Sequence, residues 1–150
     1  MNASSIGASD QVEQLYGTWR LVSNIREVVG TGERANIFGE APRGLLTYGR
    51  DGRMSAIVVG ENRPKPMDLA KLTDQERAEL FKTMVAYAGT FSVEGDRIVH
   101  NVDISWNENW TGTAQVRHFR VEGRRLIIRG DQIGPDGRHV IAVLTWEKLG

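Results

Sequence analysis

The sequence predicts an all-β fold: an eight-stranded antiparallel up-and-down barrel with one α-helix between its third and fourth strands. Three observations predict it. Short runs rich in Val, Ile, Leu and Thr recur along the chain. Tight glycine turns alternate with longer links. Eight strands are enough to close a barrel and so remove both sheet edges.

The elements follow in order. Residues 1–11 are small and polar and read as a flexible N-terminal tail, leaving residues 12–150 as the barrel domain. Residues 11–16 have room for one helical turn. The first strand is expected over 18–29, with Trp19, Leu21, Ser23 and Ile25 on one face. The second covers 44–48, the third 53–59, and the later ones 89–93, 97–106, 113–121, 125–131 and 138–147. Thr73-Asp74-Gln75-Glu76 is a capping box, the helix-start pattern in which Thr and Glu satisfy each other's backbone N–H groups. Leu80, Phe81, Met84, Val85 and Ala88 follow at helical spacing, and Gly89 is the expected stop.

Asp51-Gly52, Glu94-Gly95-Asp96 and Glu122-Gly123-Arg124 are the tight turns. The links over 30–43, 60–88, 107–112 and 134–137 are longer. In a meander, alternate connections fall at opposite ends. The tight turns therefore close one end, with Trp19 and Trp146 as the plug, and the long links surround a mouth.

The composition narrows the function. Nineteen Lys and Arg balance nineteen Asp and Glu, so the chain has no electrostatic footprint for nucleic acid or an anionic membrane. No apolar run approaches the roughly 20 residues that span a bilayer. With no cysteine, disulfides, zinc–thiolate sites and thiol catalysis are excluded. The polar N-terminus does not read as a signal peptide, and a cytoplasmic location is the default expectation.

Several segments together resemble the bacterial and fungal lipocalin-like domain family. They are Gly17-Thr18-Trp19-Arg20-Leu21-Val22-Ser23, Gly44-Leu45-Leu46-Thr47-Tyr48, Asp51-Gly52-Arg53-Met54-Ser55-Ala56 and Tyr87-Ala88-Gly89-Thr90-Phe91, then Val99-His100, Trp110-Thr111-Gly112 and Gln115-Val116-Arg117. The resemblance runs from about residue 15 to the end. It implies a small barrel that binds a small hydrophobic or amphipathic molecule, with some members tied to secondary metabolism. Secreted lipocalins usually carry a leader, a disulfide and a helix after the last strand; here no leader is expected, there is no cysteine, and the helix is expected between the third and fourth strands.

The candidate site residues follow from strand faces. His100 shares a face with Ile98, Val102, Ile104 and Trp106 and is expected to point inward. There it either meets a ligand as donor, acceptor or general acid/base, or it is a core histidine tied to a neighbouring strand. On the sixth strand, Gln115 and Arg117 share a face with Phe119, opposite Ala114, Val116 and His118, and periodicity leaves open which face is inward. The resemblance favours Gln115 and Arg117. An inward Arg117 presents a planar fork suited to a carboxylate or enolate.

The expected ligand-binding set is Tyr48, Met54, Ala56, Tyr87, Phe91, His100, Val102, Trp106, Gln115, Arg117 and Phe119. Trp110 and Phe38 are expected at the rim. A second function uses the same cavity for a cofactor-independent cyclase or isomerase, with His100, Arg117 and Tyr48 as its catalytic groups. A third has the barrel filled and acting through its outer surface. No cofactor and no metal are expected, since His100, His118 and His139 are not placed to converge. Neither a monomer nor a homodimer is favoured.

Overall fold

The structure is a computed structural model that describes residues 8–36, 38–133 and 137–150. Most of the expected tail, residues 1–7, and most of the 134–137 link lie outside the described residues. The chain runs α1 (Ala8–Leu15), β1 (Gly17–Val28), β2 (Arg34–Asn36), β3 (Arg43–Tyr48), β4 (Arg53–Val59), α2 (Asp74–Lys82), β5 (Met84–Glu94), β6 (Arg97–Ser105), β7 (Ala114–Glu122), β8 (Arg125–Ile133) and β9 (His139–Lys148). Eight of the strands pair antiparallel in the order β1-β3-β4-β5-β6-β7-β8-β9, and β1 pairs with β9 to close the barrel. The three-residue β2 is an addition to the expected set. It lies in the long first link and pairs outside the barrel circuit, Arg26 with Ala35.

The tight turns gather at one end, and α1 plugs it. Leu15 and Trp19 are fully buried there, and the Trp19 indole Nε1 donates to the Leu15 carbonyl at 2.9 Å. An indole N–H in a core needs such a partner, so this bond fixes the angle at which the helix meets β1. Trp146, Leu46, Ile98 and Leu126 complete the packing. The helix spans eight residues, longer than the single turn expected.

The capping box forms as the sequence predicts. The Thr73 side chain accepts from Glu76 N and the Glu76 carboxylate accepts from Thr73 N, both at 3.1 Å. The end of α2 does not follow the prediction. The helix stops at Lys82, and Met84, Val85 and Ala88 belong to β5. They pair with β4 in unbroken register from Val59↔Met84 to Arg53↔Thr90. A helix stripe and a strand both place apolar residues at these positions. The long ladder to β4 outweighs a short helix that buries none of its residues.

Two bulges overturn two expected strand faces. The β1–β9 register slips between Leu21 and Ser23. Trp19 and Leu21 face inward before the slip, but Asn24 and Val28 are the buried residues after it, not Ser23 and Ile25. The β5–β6 register slips between Ala88 and Gly89, so that Asp103 is the extra residue. Ile98, His100 and Val102 stay inward, whereas Ile104, expected with them, is 67% exposed. A bulge adds one residue to one strand and so reverses the alternation beyond it.

Candidate functional site

A cavity of about 480 Å³ occupies the barrel between the plug and the mouth. Its floor comes from Leu46, Ala56 and Trp146, and Ile128, Ala142 and Leu144 form one wall. Phe81, Trp106, Trp110 and Phe38 surround the opening. The rim rings touch in series: Phe81 to Trp106 at 6.2 Å, Trp106 to Trp110 at 5.1 Å and Trp110 to Tyr87 at 5.3 Å between centroids. Phe38 is held at φ +68°, a conformation that disfavours a bulky side chain by about 1–2 kcal/mol. The segment is tied down around it. Glu61 N donates to the Phe38 carbonyl at 2.8 Å, and the Glu61 carboxylate accepts from Glu40 N at 3.0 Å.

The sixth-strand ambiguity resolves inward for Gln115 and Arg117. Both line the cavity, and β7 alternates strictly, with Ala114, Val116 and His118 exposed. Arg117 has room because β8 carries Gly130 opposite it. A Cβ on Gly130 would lie 2.9 Å from Arg117 Cδ. Two of the five guanidinium N–H groups are used, to the Val116 carbonyl at 3.1 Å and to Gln115 Oε1 at 3.3 Å.

Of the expected ligand set, Ala56, Tyr87, His100, Trp106, Gln115 and Arg117 come together on the cavity wall. Tyr48, Met54, Phe91, Val102 and Phe119 do not reach it. Tyr48, Met54 and Val102 are buried in the barrel wall, and Phe91 and Phe119 pack against the core. His118 and His139 are half-exposed, each near an aspartate, Asp96 and Asp131. Among the described residues no three His, Asp or Glu side chains are grouped to hold a metal ion.

His100 is bonded at both ring nitrogens. Nε2 lies 2.7 Å from the Tyr48 hydroxyl and Nδ1 lies 2.8 Å from the Tyr87 hydroxyl. Burial, reinforced by the Arg117 charge, pushes the imidazole down to about 3, so it is neutral at physiological pH. Burial raises the Tyr87 phenol to about 12 and holds Tyr48 well above its ordinary value.

Proton counting then orients the chain of bonds. A neutral imidazole has one donor and one acceptor. Tyr48 is 1% exposed and has no other hydrogen-bond partner among the described residues, so its single proton goes to Nε2. Nδ1–H therefore donates to the Tyr87 oxygen. The Tyr87 proton is left over, on a side chain that lines the cavity. The relay Tyr48→His100→Tyr87 ends in a donor facing the lumen.

Further polar residues lie along the same wall. Among the described residues, four buried side-chain atoms have no hydrogen-bond partner in the protein: Asn24 Oδ1, Arg26 Nε, Trp106 Nε1 and Trp146 Nε1. All four residues line this cavity. Asn24 and Arg26 are absent from the sequence-derived set because the β1 bulge turns them inward. No periodicity in the sequence signals that bulge.

A closed eight-stranded meander with an interior cavity and one open end is the architecture of the lipocalin class. The chain belongs to the lipocalin-like domain family, whose profile matches residues 16–149. It is similar to the 4'-hydroxy-3'-methoxypropiophenone carrier protein of Aspergillus oryzae, at 30% identity over 109 residues, covering 64% of this chain and 96% of that protein. Among solved structures it is similar to an odorant-binding protein at 11% identity and a TM-score of 0.46, covering 96% of this chain and 75% of the other. A bovine odorant-binding protein in complex with a selenium-containing odorant aligns with the same identity and TM-score, covering 100% of this chain and 77% of the other. No helix among the described residues is long and apolar enough to cross a membrane.

Proposed function

We propose that the protein carries one small, largely apolar molecule with hydrogen-bonding groups, bound inside the barrel and held within the cytoplasm. The observation that carries this reading is the cavity itself, with its apolar wall, its aromatic rim, and Tyr87, Gln115 and Arg117 on its lining. A volume of about 480 Å³ falls in the ordinary range for such sites. The similar Aspergillus protein is named as the carrier of an aryl ketone bearing a hydroxyl and a methoxy group. An aryl ketone of that kind suits the aromatic rim and the Tyr87 donor.

Native mass spectrometry of protein purified gently from its own cells tests this. A co-purifying small molecule near one-to-one occupancy supports the carrier reading. An apo mass, together with no binding of aryl ketones in titration, would sink it.

The cyclase or isomerase reading finds one supporting observation, the Tyr87 hydroxyl backed by His100 as a proton donor. His100 itself, held neutral with a pKa of about 3, is a weak base at neutral pH. The wall therefore favours holding a ligand over abstracting its proton.

A further inference from the structure

Arg26 and Arg117 form a second polar feature of the cavity. Eight arginines among the described residues pair with Asp or Glu carboxylates at the protein surface. Arg26 and Arg117, which line the cavity, form no ion pair among the described residues. The other charged groups at the lining are Lys82 and Asp131, and Asp131 lies 3.9 Å from His139. The lining therefore carries three cations against one anion.

The two arginines stand on one row across four strands. Arg26 on β1 pairs with Ala142 on β9, and Ala142 pairs with Gly130 on β8. Gly130 lies directly under the Arg117 side chain from β7, whose Cδ, Nε and Cζ come within 2.9–3.1 Å of its Cβ position. Three strand intervals of about 4.8 Å separate the ends, roughly 14 Å along the sheet. The two positions between carry the smallest side chains available, Ala and Gly. Two long cationic side chains thus flank a bare strip of wall. A guanidinium without a counter-charge in an apolar cavity is costly, and a planar oxyanion with two acceptor oxygens answers it best.

We propose that Arg26 and Arg117 together hold a planar oxyanion on the cavity ligand. It is either a carboxylate, or a phenol or enol made acidic by conjugation to a carbonyl. This rests on the reading of the barrel as a carrier and adds the charge of what it carries.

The test uses the full chain and tryptophan fluorescence, since Trp106 and Trp110 line the cavity. Two matched pairs of probes distinguish the sources. One is 3,4-dimethoxycinnamate and its methyl ester at neutral pH. The other is 4'-hydroxy-3'-methoxypropiophenone and its methyl ether, above the phenol's own pKa. The anion of at least one pair is expected to bind tenfold or more tighter than its neutral partner, and the pair that shows it names the source. In Arg26→Gln and Arg117→Gln that ratio is expected to fall to threefold or less.

Equal binding of anion and neutral partner in both pairs overturns the proposal while leaving the carrier reading standing. So does a ratio that survives both substitutions. Binding of none of the four probes overturns the carrier reading and this proposal with it. The wild-type comparison decides the matter even if a variant fails to fold.

Discussion

The hydroxyl of Tyr87 lies 2.8 Å from Nδ1 of His100, thirteen residues further along the chain on the neighbouring strand. That contact turns a buried histidine into a spacer that passes the orientation of one tyrosine proton to another. Removing either tyrosine hydroxyl therefore has a different consequence. Tyr87→Phe takes away both the proton on the cavity side and the acceptor of Nδ1–H, so the affinity for an aryl ketone is expected to fall about tenfold, near 1.4 kcal/mol, alongside some loss of stability. Tyr48→Phe leaves Nε2 without its donor deep in the core. It is expected to lower stability by about 1–3 kcal/mol with a smaller effect on binding. Titration calorimetry and urea unfolding on both variants separate the two effects. Equal losses of affinity would refute the assigned proton order.

The His100 imidazole makes stability depend on pH. Its folded pKa of about 3 is below the ordinary value of 6.5, so between these values the unfolded chain binds a proton that the folded one does not. Stability rises with pH through this window and is lost as pH falls through it, by about 1.4 kcal/mol per pH unit for one proton. His100→Gln removes this contribution. Urea midpoints measured between pH 6.5 and 4 are expected to fall less steeply in the variant than in the wild type, and parallel slopes would contradict the prediction.

Asn24 lies along the cavity wall and carries a cost in the folded protein. Its Oδ1 is buried without a partner, and a leucine of similar size removes that cost. Asn24→Leu is expected to raise the stability of the apo protein by about 1 kcal/mol and to weaken binding of a hydroxylated aryl ketone severalfold. Thermal melts with and without the ketone check both directions. A variant that melts lower and binds as well would count against this placement.

Gly89 stands at the β5–β6 bulge, where a Cβ would collide with the Asn101 carbonyl oxygen. Backbone cannot move aside as a side chain can, so Gly89→Ala is expected to cost about 3 kcal/mol. Gly95→Ala, in the next turn, meets nothing within 4 Å but must adopt φ +61°. It is expected to cost less, about 1 kcal/mol. Chemical denaturation of the two variants ranks them.

The sequence made the barrel readable because its turns are local signals. Asp51-Gly52, Glu94-Gly95-Asp96 and Glu122-Gly123-Arg124 each specify a reversal from a few residues, and their alternation with long links fixes the meander. The Thr73–Glu76 cap was readable for the same reason. The end of α2 was not, because Met84 to Ala88 satisfy a helical stripe and a strand alike, and only the partner strand β4 decides between them. His100 was found by alternation on its strand, whereas alternation left the face of Gln115 and Arg117 open and only the family resemblance favoured it. Asn24 and Arg26 were missed because the Val22 bulge belongs to a register between β1 and β9, which no window on one strand contains. The His100–Tyr87 bond joins two residues that were each singled out, but their pairing depends on the β5–β6 register.

The plug of Leu15 and Trp19 gives the lumen a dead end. Whatever enters past Phe38 and the edge-to-face tryptophans must leave the same way, in reverse. A newcomer cannot push an occupant out from behind, so exchange is strictly sequential, with an emptied barrel between one guest and the next. A protein that receives the cargo directly would have to approach this rim.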